Sequence, residues 1–242
     1  MPKCATPSVA QRDVWYSIGM RKITISPDEH YHVYNRGNNK QEIFKDDRDR
    51  TRFLFSLLGL QSELALKNMS RLAANFVRTG TLNLEAKNIA EIAKKRYVDL
   101  VSFSLMPNHF HLILFERDEG GIAHYMQRVL NSYTKYFNTR HEKHGHLFGG
   151  PYGAVHIEDN EQLLHASAYV HRNCHTLAKW TGRSSKYPWS SYQDFVAQNR
   201  WGELLVRTPI LEQFATEAEY NNWVETSGAK DQAWELYLPE EM

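Results

Sequence analysis

Two histidines sit two residues apart inside an apolar run, SLMPNHFHLIL at residues 104–114, as His109 and His111. In an extended strand residues i and i+2 share a face, so both imidazoles point one way while Phe110 and Leu112 point the other. Two nitrogen donors fixed on rigid backbone make half a metal site. The same pattern suits a hydrogen-bonded histidine pair on a half-exposed face, and spacing alone leaves both readings open. With twelve histidines in 242 residues, about 0.6 His-x-His pairs arise by chance, so a bare match carries little. Two more pairs occur. His30/His32 opens a strand beside acidic residues and is expected to be solvated; His144/His146 flanks a glycine in a turn, where a chelate is harder to hold.

A second group stands in EDNEQLLHASAYVHRNCHTLAKW. His165, Tyr169 and Asn173 are spaced four and four, which aligns them on one helical face. Asn173 would supply a neutral oxygen ligand and Tyr169 a nucleophile; the competing reading makes Tyr169 an ordinary amphipathic core residue. A free tyrosine ionises near pH 10, so something must favour its phenolate or take its proton. His165, one turn before Tyr169, is a candidate for that orienting or proton-accepting role. A helical His171-x-x-x-His175 pair would suit a zinc hydrolase, but Arg172 stands where such an enzyme carries its glutamate base.

These residues need elements to hold them. YHVYNRGNNK reads as a strand ended by the turn Gly37-Asn38-Asn39. DDRDRTRFLFSLLGLQ reads as a helix with acids in its first turn and Phe53, Leu54, Leu57 and Leu58 inward. Residues 61–96 form a basic helical insertion. YVDLVSFSL and HFHLILF are strands, with Pro107-Asn108 as a break or bulge between them. A helix at 121–140 carries Ile122, Met126, Val129, Tyr133 and Phe137 on one stripe. HEKHGHLFGGPYGAVHIED is a glycine-rich turn leading to a short strand, and the His165 helix follows. That order predicts an α+β fold, an antiparallel sheet covered by helices on one face. The chain divides into an arm at 1–20, a main domain at 21–190, and an acidic, aromatic-rich helical tail at 191–242.

Bulk properties narrow the class. Hydrophobic residues make up 42% and charged residues 24% of the chain, ordinary globular values. No run of 18 apolar residues occurs, so no membrane span is expected. MPKCATPSVAQRDVW lacks a signal peptide's apolar centre, and Met20 offers an alternative start leading directly into the first strand. Cys4 and Cys174 are too few for a disulfide framework and are read as reduced thiols of a cytoplasmic protein. The net charge of +1 conceals an asymmetry: residues 191–242 carry three Lys/Arg against ten Asp/Glu. A basic body with an acidic tail suits polyanion binding, the tail being either a solvated face or a regulatory cover.

Taken in order, YHVYNRGNNKQEIF, SLMPNHFHLIL, MQRVLNSYTKYFN, GHLFGGPY, AYVHRNC and YPWSSY resemble the phrases of single-tyrosine HUH transposases. The likeness, over roughly residues 28–195, is especially to the REP-associated tyrosine transposases and their insertion-sequence relatives. The resemblance implies a ferredoxin-like sheet, His109 and His111 as metal ligands, Asn173 as the third ligand and Tyr169 as the nucleophile. It also implies single-stranded DNA cut beside a hairpin through a 5′-phosphotyrosine, and a homodimer, with a monomer as the alternative. Ligand chemistry alone would favour zinc or manganese for two imidazoles; the resemblance implies Mg2+ or Mn2+. Arg36 and Lys135 are candidate DNA contacts. The chain departs from the family at Gly150-Pro151-Tyr152-Gly153-Ala154, where basic residues are usual, and at Asn173-Cys174, where Asn-Pro is usual. It also lacks a Gly-Thr-Trp-Tyr phrase. A hairpin-binding protein that keeps the fold without the catalysis is the alternative expectation.

Overall fold

The structure is a computed structural model that describes residues 23–227 apart from Ala65, Thr81 and Asn83. The expected N-terminal arm, Cys4 and the last part of the acidic tail lie outside the described residues.

The first strand, β1 (His30–Arg36), leads into helix α1 (Asp47–Gly59). Asp46 caps that helix by accepting the Asp49 N–H at 3.0 Å, and Asp47 and Asp49 complement its N-terminal dipole. Phe53, Leu54, Leu57 and Leu58 are all buried, as the helical period requires. The expected insertion is helical, with α2 (Met69–Thr79) and α3 (Ala86–Lys94). Strands β2 (Val98–Met106) and β3 (His109–Glu116) follow, then α4 (Gly121–His141), β4 (Gly153–Ile157) and α5 (Asn160–Arg172). Three short helices complete the described chain: α6 (Tyr192–Val196), α7 (Thr208–Leu211) and α8 (Glu217–Thr226).

The four strands form one antiparallel sheet in the order β2-β3-β1-β4. With α1 and α4 as the crossovers, this is the ferredoxin-like α+β arrangement. Pro107-Asn108 is not a bulge but a two-residue turn, because Met106 pairs with His109 across it; the register irregularity lies at Leu100/Ser102. The turn is held from outside. Ile43 and Phe44 donate N–H bonds to the Pro107 carbonyl at 3.0 and 3.1 Å, and Gly37 donates to the Asn108 carbonyl at 2.8 Å.

Helices cover both faces of the sheet rather than one. Phe110 meets Phe53 of α1 at 5.0 Å between ring centroids, and Phe53 meets Tyr133 of α4 at 4.9 Å. On the opposite face α5 lies against β2, β3 and β4. That second face is lined by Ser102, Ser104, His32 and His111, all buried. Its polarity reads as a solvent face in the sequence, which is why one layer is predicted where two exist.

Residues beyond 190 join the same core. Trp201, Leu204, Ile210, Tyr220 and Val224 are buried in the main cluster. Together with Trp189, the segment also closes the free edge of β2. Ser191 donates its N–H to the Phe103 carbonyl at 2.9 Å, Leu105 donates to Trp189 at 2.8 Å, and Val206 donates to Leu100 at 2.9 Å. Covering of this kind blunts an edge against pairing with another chain.

Candidate active site

β3 places His109 and His111 on the face that α5 covers. Opposite partners in an antiparallel pair share a face, so the registers Arg36↔His109 and Tyr34↔His111 put those four side chains together. Across β2, Met106 and Ser104 take the corresponding places. Asp159 caps α5 by accepting the Gln162 N–H at 2.8 Å, and the helix runs down the sheet to Arg172. Asn173 keeps helical backbone angles, φ −54° and ψ −35°, so Tyr169 and Asn173 stay one turn apart on the face turned to the histidines.

Four sequence-predicted residues meet there. His109 Nε2 lies 3.1 Å from Asn173 Oδ1. The rings of His109 and His111 stand 5.1 Å apart at 84°, and Tyr169 stands 5.4 Å from His111 at 88°. His111 is 7% exposed and Asn173 6%, while Tyr169 is half-buried. Arg36 lies beside His109 on β1 and is one of the charges acting on His111.

The proton on His109 can be followed atom by atom. Asn108 donates its Nδ2 to the Lys40 carbonyl at 3.2 Å, which turns its Oδ1 toward His109 Nδ1 at 2.7 Å. His109 therefore donates through Nδ1, leaving a lone pair on Nε2 that faces the Asn173 oxygen. With that tautomer two acceptors face each other, an arrangement that a cation between them satisfies, as does the Asn173 amide turned to present its Nδ2. Neighbouring donors around an octahedral ion at about 2.1 Å stand about 3.0 Å apart, close to the spacing seen. The pKa of His111 is held well below the ordinary value chiefly by burial, and then by the repulsion that a protonated His109 or His32 and the Arg36 guanidinium would exert. Two imidazoles and one amide oxygen thus fit a divalent ion. Among the described residues no group of three or more His, Cys, Asp or Glu side chains is arranged to hold a metal, so a site here depends on the amide.

Sequence reasoning does not single out His32 and Asn108, which the structure brings against His111 and His109. His32, expected to be solvated, is 2% exposed, and its Nε2 lies 3.0 Å from His111 Nδ1. Burial lowers its pKa to about 4. Parity within β1 could not have found it, because the pairing of β1 with β3 is not visible in one strand. Gly153 leaves room for the Tyr34 ring beside this group: a Cβ there would stand 2.3 Å from it, so the ring would have to shift.

Other predicted residues lie apart. His165 packs its ring on Trp223 at 5.1 Å and holds its Nε2 4.0 Å from Glu161; its partners lie toward α8. Lys135 lines a groove of about 720 Å³ between α4 and the His146–Pro151 loop. The loop that lines it is tied to β1 by Gly149, which donates its N–H to the Arg36 carbonyl at 3.0 Å. His171 does not serve a zinc site. Its Nδ1 is 2.6 Å from the Tyr220 hydroxyl and its Nε2 2.8 Å from Ser191 Oγ, so both nitrogens are spent within the core.

A family model described as transposase, IS200 like, matches residues 26–173. The matched span ends at Asn173 and contains all the residues that meet at the site. No curated protein matches the chain. A solved structure titled as a REP-associated tyrosine transposase bound to a REP hairpin aligns with a TM-score of 0.47 at 12% identity. The alignment covers 78% of this chain and 92% of that one; at that distance it assigns no residue a role.

Proposed function

The chain belongs to the IS200-like transposase family, and on that footing we propose that it cuts and rejoins single-stranded DNA beside a hairpin through a covalent tyrosine intermediate. The observation that carries the reading is the meeting of His109 Nε2 and Asn173 Oδ1 at 3.1 Å with Tyr169 one turn before Asn173 and edge-on to His111.

Tyr169 Oη gives up its proton as it bonds to the scissile phosphorus, while the 3′-oxygen leaves with its bonding electrons and takes up a proton, so that none is gained or lost overall. The products are a 5′-phosphotyrosyl protein and a free 3′-hydroxyl. A second 3′-hydroxyl reverses the step, so strands are joined without an outside energy source, the usual advantage of splitting a displacement in two. His109, His111 and Asn173 would hold Mg2+ or Mn2+, which when bound neutralises charge on the non-bridging oxygens. β3 fixes the two imidazoles and α5 fixes the phenol, so the register of the sheet and the pitch of one helix set the reaction geometry. Arg36 supplies positive charge beside the same oxygens, and Lys135 with the His146–Pro151 loop offers a second place for the nucleic acid.

The test is a labelled single-stranded hairpin panel from the flanking genome, incubated with Mn2+ and resolved under denaturing conditions. Wild type is expected to form a covalent adduct, with none for Tyr169→Phe and a strong loss for His109→Ala. Equal binding of the hairpin by wild type and Tyr169→Phe, with no adduct from either, would leave the non-catalytic hairpin-binding reading. One feature favours that reading: Gly150-Pro151-Tyr152-Gly153-Ala154 carries no basic residue, and its Tyr152 is buried.

A further inference from the structure

The geometry points to His32 as the positioning residue that sets the tautomer of His111, keeping the His111 Nε2 lone pair available and holding the Tyr169 ring beside it. This rests on the reading of His111 as a ligand, and it adds a residue from a third element to the site.

The bond between the two histidines runs in the plane of both rings. Their nitrogens are 3.0 Å apart while the centroids are 5.1 Å apart and the planes differ by 13°, so the rings lie edge to edge. One nitrogen of such a pair carries the proton and the other accepts it. If His111 Nδ1 donates, its Nε2 is a lone pair. If His32 Nε2 donates instead, the proton of neutral His111 sits on Nε2, where it would block a cation. Ligating histidines ordinarily give their second N–H to a neighbouring acceptor, which fixes both tautomer and ring direction. His32 Nε2 is that acceptor.

The placement is built into the sheet. His32 pairs with Ile113 and Tyr34 with His111, so His32 and His111 are diagonal neighbours on adjacent strands, held by main-chain register rather than by a loop. His32 is also wedged between two aromatic rings. It lies 5.5 Å from Tyr34 at 28° and 5.8 Å from Tyr169 at 79°. One buried imidazole therefore touches both a proposed ligand and the proposed nucleophile. A Val or Phe at this position would fill the space but would accept nothing from His111.

The experiment records long-range proton–nitrogen correlations on metal-free protein labelled with 15N-histidine, using His111→Gln to assign the signal. Wild type is expected to show His111 protonated on Nδ1, and an Nε2-protonated pattern would overturn the proposal without any variant. His32→Phe, which keeps a ring but no acceptor, is expected to lose the Nδ1 pattern and to weaken Mn2+ binding, measured by calorimetry, about 10- to 100-fold. His32→Gln, which restores an acceptor, is expected to recover both. Unchanged tautomer and unchanged Mn2+ affinity in His32→Phe would overturn it. If His109→Ala bound Mn2+ as tightly as wild type, the metal reading would fail, and the tautomer pattern would still decide whether His32 governs His111.

Discussion

At the scale of single residues, His109 is positioned by the residue before it. Asn108 is anchored to the Lys40 carbonyl and accepts from His109 Nδ1, so Asn108→Ala frees the ring to turn. Calorimetry with Mn2+ should show affinity falling about 10-fold or more, with secondary structure by circular dichroism unchanged; equal affinity would mean that the turn alone aims the imidazole. Buried neutral histidines also make a pH prediction. Burial lowers His171 to about 3 and His32 to about 4, below the unfolded value of about 6.5. The unfolded chain therefore binds protons first, and stability is retained above pH 6.5 and lost as pH falls toward those lower values. Each such histidine contributes a slope of up to about 1.4 kcal/mol per pH unit. Urea midpoints measured from pH 7 to pH 5 should fall, and should fall less in His171→Gln; a flat profile would contradict it. The His-x-His spacing and the four-residue step from Tyr169 to Asn173 make most of this cluster legible in the sequence, whereas the same step back to His165 leads away from it. His32 was not, because its role depends on which strand lies beside β3.

Among the elements, α5 does most to build the site, and α8 holds it in place. His171 on α5 bonds the Tyr220 hydroxyl of α8, which in turn donates to Ser167 Oγ at 3.2 Å. Tyr220→Phe leaves buried partners of that hydroxyl unsatisfied and should cost roughly 1–3 kcal/mol in chemical denaturation; a change within error would show that the network is satisfied in another way. Element types were readable because α1 and α4 carry apolar stripes and β3 is a short apolar run of β-formers bounded by a turn. The number of helical layers was not. Ser102, Ser104, His32 and His111 are polar yet buried, so period-two polarity in those strands signals a buried polar site rather than solvent.

For the whole molecule, charge and closure pull against each other. The tail is acidic in composition, which invites the idea of a removable cover over a basic groove. Its described part instead supplies Tyr192, Phe195, Trp201, Leu204 and Tyr220 to the core and seals the β2 edge. Truncation at residue 190 should therefore yield insoluble or unfolded protein rather than tighter DNA binding; a folded, soluble truncation that binds more tightly would restore the cover. That distinction could not be read from charge counts, because the same segment is acidic on its surface and aromatic within. If Arg36 and Lys135 each meet one phosphate of a single strand, each alanine variant should lower the slope of log affinity against log salt by about 0.7. Fluorescence anisotropy over a salt series measures this, and unchanged slopes would place the DNA elsewhere.

The most direct measurement is peptide mass spectrometry of the protein after reaction with a hairpin substrate and Mn2+, followed by nuclease digestion. A nucleotide phosphate attached through Tyr169 is predicted. Attachment to any other residue, or turnover of the DNA with Tyr169 unmodified throughout, would contradict a nucleophile carried by α5 against the histidines of β3.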